Sequence, residues 1–125
     1  NASGGFLGFW WHWKYTKLGG KEFEYYLQIE QGRLVFKLFA YKENQRREIR
    51  DFYRRILYKN AEKLNIGITQ FGRIGTYMGV AKLNSEFRKT DNKGILDFQS
   101  TVENLREIME LINETEKEIT AHNNS

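Results

Sequence analysis

Apolar and polar positions alternate through residues 22 to 31, EFEYYLQIEQ. Phe23, Tyr25, Leu27 and Ile29 fall on one side and Glu24, Tyr26, Gln28 and Glu30 on the other. That period predicts a strand with one buried face. Residues 33 to 42 repeat it with Leu34, Phe36, Leu38 and Ala40, across a tight turn at Gln31-Gly32. Upstream, residues 6 to 17 are dense in aromatic and β-forming side chains and end at the turn Leu18-Gly19-Gly20-Lys21. Three strands joined by short glycine turns predict an antiparallel meander.

The period then changes to that of a helix. Ile49, Phe52, Tyr53, Ile56, Leu57, Ala61 and Leu64 recur at helical spacing, which predicts a helix over about 44 to 64 with Asn44 as its N-cap. Glycines at 67, 72 and 75 punctuate a short strand near 66 to 70 and a better one at 76 to 83, TYMGVAKL. Residues 89 to 94, KTDNKG, read as a loop. A long helix follows from about 97, with the stripe Phe98, Val102, Leu105, Met109 and Ile112 and a capping box at Ser100 to Glu103. Past Asn113 that stripe fails, and residues 114 to 125 are expected to fray. The order βββ-α-ββ-α gives two amphipathic helices one apolar surface to cover. The expected fold class is therefore α+β, a mostly antiparallel sheet with both helices packed on one face. The other face is left open or meets another domain.

Composition bounds the answer without choosing it. A chain of 125 residues is one domain, taken here as residues 4 to 113. Asn1-Ala2-Ser3 reads as a remnant of an expression tag, and the abrupt start of the first strand suggests a domain cut from a longer protein. With no cysteine, disulfides and thiolate metal sites are excluded, which fits a reducing, cytoplasmic setting. No apolar run is long enough to span a membrane, so no membrane partner is expected. The net charge of +4 is unevenly placed. Residues 42 to 64 carry eight Lys/Arg against four Asp/Glu, while residues 97 to 121 carry two against seven. Such a polar molecule permits DNA or RNA as a partner without demanding it.

Two features carry candidate chemistry. On a regular first strand, Phe9, Trp11, Trp13 and Tyr15 share one side and face the helices, while Trp10, His12, Lys14 and Thr16 share the other. Trp10, His12 and Lys14, joined by Tyr26 and Gln28 of the second strand and Lys37 and Phe39 of the third, would form a half-wet aromatic face. It serves either as a stacking platform for bases or as a docking face for another domain. The second feature is RREIRDFYRR, residues 46 to 55. On the helical wheel Arg47, Arg54 and Tyr58 lie opposite the apolar stripe, flanked by Arg50 and Arg55, a set able to straddle phosphates. Asp51 sits within one turn of Arg47, Arg54 and Arg55, so a solvated, salt-bridged face explains the same residues. The carboxylates Glu103, Glu107, Glu110, Glu114 and Glu118 form a straight row on the last helix. A metal needs ligands that converge, so they read as a solvated or partner-facing stripe, and no metal site is expected. No nucleophile elbow or phosphate-binding glycine loop is present, and His12 and His122 are the only imidazoles. A noncatalytic chain without a cofactor is the expectation.

The segments GFLGFWWHW, YYLQIE, RLVFKL, the arginine helix, FGRIGTYMGVAKL and GILDFQSTVENL run through nearly the whole chain, about residues 4 to 112. Together they resemble the C-terminal part of bacterial proteins in the PD-(D/E)XK nuclease superfamily. The resemblance implies a nuclease core upstream, in which an acidic residue and an acid-x-Lys strand hold Mg²⁺ and steady the attacked phosphate. The only acid-x-Lys here is Asp91-Asn92-Lys93, inside a turn composition rather than on a strand, so no catalytic residue is carried over. The resemblance then implies an accessory module that positions DNA or RNA or docks the catalytic domain of the same chain. The alternative is a protein–protein interaction module using the aromatic sheet face and the acidic helix.

Overall fold

The computed structural model describes residues 8–30, 33–84, 92–95 and 98–123; the side chains of residues 8–11, 30 and 98 are outside that description. The elements are β1 (Gly8–Leu18), β2 (Lys21–Glu30), β3 (Arg33–Ala40), a 3₁₀ turn (Glu43–Gln45), α1 (Arg46–Lys63), β4 (Ile68–Gln70), β5 (Tyr77–Leu83) and α2 (Phe98–Asn123). The five strands form one antiparallel sheet in the order β1-β2-β3-β5-β4. The fold is thus α+β in the expected order βββ-α-ββ-α. Gly19 and Gly20 both take positive φ, 55° and 83°, which closes the β1-β2 hairpin in two residues, as Leu18 pairs with Lys21. The Gln31-Gly32 turn and Asp91 lie outside the described residues; Asn92 to Gly94 form a turn.

One face of the sheet and both helices share a single core. Phe23, Tyr25, Leu27 and Ile29 of β2 and Leu34, Phe36, Leu38 and Ala40 of β3 pack with Ile49, Tyr53, Ile56 and Leu57 of α1 and Ile108, Leu111, Ile112 and Ile119 of α2. The alternate positions read from β2 and β3 are buried in that core, while Tyr26 and Val35 are buried on the opposite face.

Three local expectations are corrected. Asn44 is not the N-cap: it sits inside the 3₁₀ turn, and Gln45 precedes α1 without a side-chain cap bond. Ser100 is not a cap either, because α2 begins at Phe98. The segment from 114 does not fray. α2 continues to Asn123, and Thr115 and Ile119 are buried. The buried stripe of α2 runs Ile108, Leu111, Ile112, Thr115, Ile119, one step around the helix from the one read off the sequence, and Leu105 and Met109 are only partly buried at its margin. A threonine at one stripe position makes the pattern look broken, although the helix continues. Glu114 and Glu118 reinforce this end. Lys63 Nζ lies 2.8 Å from Glu114 Oε1 and Lys59 Nζ lies 3.1 Å from Glu118 Oε2, tying α2 to α1.

Candidate functional site

Among the described residues, the side of the sheet away from the helices carries most of the exposed aromatic side chains. Of the described residues, Trp13 (45 %), Tyr15 (55 %), Tyr41 (43 %) and Tyr77 (60 %) are among the few large apolar side chains left open to solvent. Strand register draws Tyr15 and Tyr77 to this face, and ring contacts place Trp13 and Tyr41 beside them. Glu24 pairs with Tyr15 on one side and Phe39 on the other, and Phe39 pairs with Tyr77. Cross-strand partners share a face. Ring contacts then run across the sheet: Tyr15 to Tyr41 at 6.4 Å, Tyr41 to Phe39 at 4.8 Å and Phe39 to Tyr77 at 4.9 Å between centroids. Beside this belt the Trp13 indole stacks on Tyr26, 4.0 Å away and within 3° of parallel.

Hydrogen bonds fix the rings. The Trp13 indole N–H donates to Glu24 Oε1, and the Tyr41 hydroxyl donates to Oε2 of the same carboxylate. The Tyr15 hydroxyl donates to Glu22 at 2.8 Å. Glu24 holds the Tyr41 phenol protonated, pushing its pKa up to about 12, chiefly through that hydrogen bond. Burial under Trp13 pushes the Tyr26 phenol up to about 12 as well.

The far side of the face is cationic. Lys37 pairs with Tyr26, and Val35 pairs with Lys82. Two cations approach the Phe71 ring, the Arg33 guanidinium 5.5 Å and the Lys82 ammonium 5.8 Å from its centroid. Gly79 makes room for that ring, since a Cβ there would come within 3.1 Å of Phe71 Cδ2. Gly72, at φ +97°, lies so close over β5 that a Cβ would meet Gly79 Cα at 2.6 Å.

The assignment of β1 side chains to faces is reversed over its second half. Pairing runs Trp11 with Leu27 and then Lys14 with Tyr25, so His12 and Trp13 together oppose Tyr26. This is a β-bulge, and His12 takes a left-handed φ of 57°, a conformation that costs a non-glycine residue about 1–2 kcal/mol. The extra residue turns Trp13 and Tyr15 onto the open face, where the sequence had put them against the helices. It turns His12 toward α2, where its Nε2–H donates to Glu116 Oε2 at 2.6 Å. The Tyr25 hydroxyl donates to the same oxygen at 2.9 Å, and burial first, then this bond, raises the Tyr25 pKa. Lys14 pairs with Tyr25 and so belongs to the helix side, exposed at its rim. Of the predicted platform residues, Tyr26 and Lys37 are on the open face, His12 and Lys14 are not, and the Trp10 side chain lies outside the described residues.

The arginines of α1 do not form one solvent face. Arg47 and Arg55 are exposed, with Arg55 5.8 Å over Phe52. Arg50 is 8 % exposed, and its Nε is 4.0 Å from Asp51 Oδ1. Arg54 reaches over the sheet, where its Nε donates to the Val80 carbonyl at 3.0 Å. Burial, and then the charge of Arg50, lowers its pKa. Arg54 therefore does not lie opposite the packed face of α1, as the helical wheel had placed it. A wheel records angle around the axis, not the reach of a long side chain toward a neighbouring sheet.

Tyr77, at the start of β5, was missed because it reaches the face only through the β3-β5 pairing, which no local pattern reveals; Tyr41, just past β3, lies on the side that the alternation of β3 already indicates and reaches Tyr15, Phe39 and Glu24 there. Among the described residues no cluster of metal-ligating side chains is found, and no helix is long and apolar enough to cross a membrane. Compared with known proteins, the chain matches no family model, no curated protein and no solved structure.

Proposed function

We propose that this chain is a noncatalytic binding module whose open sheet face takes single-stranded nucleic acid. In the setting that the resemblance implies, it would position that strand for a PD-(D/E)XK nuclease core upstream. The observation that carries the reading is the pairing of an aromatic belt with a cationic flank on one face. Trp13, Tyr15, Tyr41 and Tyr77 offer exposed rings, and Lys37, Arg33 and Lys82 lie on the strands beside them. Bases stack on aromatic rings whatever their sequence, while lysine and arginine track the phosphates. Glu22 and Glu24 share the face, but their carboxylates accept hydrogen bonds from the Tyr15, Trp13 and Tyr41 donors. Their charge directs the phosphates toward the β3-β5 side.

The test is anisotropy of a labelled single strand and of a duplex of equal length at about 50 and 200 mM salt. The single strand should bind more tightly, and Trp13→Ala or Tyr77→Ala should weaken it by about 5- to 150-fold, the worth of one stacked base. Absence of single-strand binding at low salt, or equal binding by both variants, overturns the proposal. A protein partner seated on the same rings is then the reading that remains, and it should resist salt.

A further inference from the structure

Two pairing registers are open to the second half of β1, and they differ in where one extra residue goes. In the structure it goes into the bulge at His12-Trp13, and the hairpin closes with Leu18 opposite Lys21. If the pairing of Trp11 with Leu27 continued unbroken, Trp13 would oppose Tyr25, Tyr15 would oppose Phe23, and Lys17 would oppose Lys21. Leu18, Gly19 and Gly20 would then make a three-residue loop, a length that suits a glycine at its last position. A one-residue slip turns every side chain of the segment over. The slipped register would turn Trp13 and Tyr15 inward and His12, Lys14 and Thr16 outward, the arrangement that hydrophobic alternation alone favours.

Something must therefore hold the bulge. His12 is the residue in the left-handed conformation, and its imidazole is bonded to Glu116, which also accepts from Tyr25. We infer that the His12–Glu116 contact is a register latch, which makes Glu116, on the helix side, a positioning residue for Trp13 and Tyr15 on the opposite face. This rests on the open face being the binding face only for its use; the latch itself is a property of the free protein. β1 is an edge strand that pairs with β2 alone, so its outer half can slip while β2, β3 and the helices stay packed. Binding by the open face then requires the latched register.

The experiment is NMR on the free protein, with the Trp13 indole resonance assigned through Trp13→Phe. In the native chain, Lys14 and Tyr25 should show a cross-strand Hα contact, and Trp13 should show ring contacts to Tyr26. His12→Val disfavours a left-handed φ and removes the imidazole; Glu116→Ala removes its acceptor. Each should give a second set of resonances in which Trp13, not Lys14, faces Tyr25. Adding His12→Gly to Glu116→Ala should restore the single native set, because glycine accepts the bulge conformation without the latch. A variant that merely loses packing would not be rescued by removing a side chain. If one variant unfolds, the other and the glycine rescue still decide. Native pairing retained in whichever of His12→Val and Glu116→Ala folds, or failure of the glycine rescue, overturns the latch. Because no ligand enters these readouts, failure to bind nucleic acid would count against the proposed function and leave the latch standing.

Discussion

The Trp13 indole lies flat over Tyr26, ring centroids 4.0 Å apart and planes 3° from parallel. The stack joins an edge strand to its neighbour across the bulge. It leaves one indole face to solvent while the tyrosine beneath is buried. Trp13→Ala should uncover Tyr26 and lower its phenol pKa from about 12 toward the ordinary 10, because burial is the main cause of the shift. The Tyr26 Cζ resonance, followed from pH 9 upward, measures this, and an unchanged midpoint would show that Trp13 does not cover the ring.

Glu24 should control the Tyr41 phenol in the same way. Its hydrogen bond pushes that pKa up to about 12. A raised folded pKa means that the stabilisation is fully present below the unfolded value near 10 and is lost as pH rises through about 12. Glu24→Gln should move the Tyr41 midpoint down toward 10 and loosen the Trp13 ring held by the same carboxylate. Titration of Tyr41 unchanged by the substitution would show that the contact is not formed in solution.

The end of α2 is part of the core. Ile119 is 2 % exposed, and Ile119→Ala should cost about 2–5 kcal/mol by denaturant unfolding. Leu105→Ala, at a partly buried position, should cost less. Near-zero loss at Ile119 would mean that the last turns fray.

The arginines of α1 separate by role. Arg47 is exposed, and Arg47→Gln should leave stability within about 0.5 kcal/mol of the native value. Arg54→Gln removes the donor to the Val80 carbonyl and part of the cover over β5, and it should destabilise by about 1–3 kcal/mol. Equal midpoints for the two variants would contradict the contact. With Arg50 buried and Arg54 bonded to Val80, a phosphate-binding role falls to the exposed Arg47 and Arg55.

Gly72 should tolerate no side chain. An added Cβ meets the Gly79 backbone at 2.6 Å, and φ is +97°. Gly72→Ala should cost more than about 1 kcal/mol, whereas Gly75→Ala, with open space at its Cβ, should cost less. Similar melting temperatures for the two would count against the close approach of this loop to β5.

The sequence by itself determined the element order, the meander, the apolar face of β2 and β3 and the packed side of α1. Each of these is a local periodicity set by chain geometry: alternate residues of a strand, or residues three and four apart on a helix, face the same way whatever surrounds them. Three things were decided only by tertiary structure. The bulge at His12 reverses the faces of β1, because two neighbouring residues are accommodated opposite Tyr26 and the imidazole finds Glu116, far along the chain. Arg54 lies against the fold because α1 sits within its reach of the Val80 carbonyl on β5, and Arg50, one turn away, is buried with it. Tyr77 joins the aromatic belt because β5 pairs with β3 across the intervening helix. Partners distant in sequence make all three choices, and periodicity carries no information about such partners.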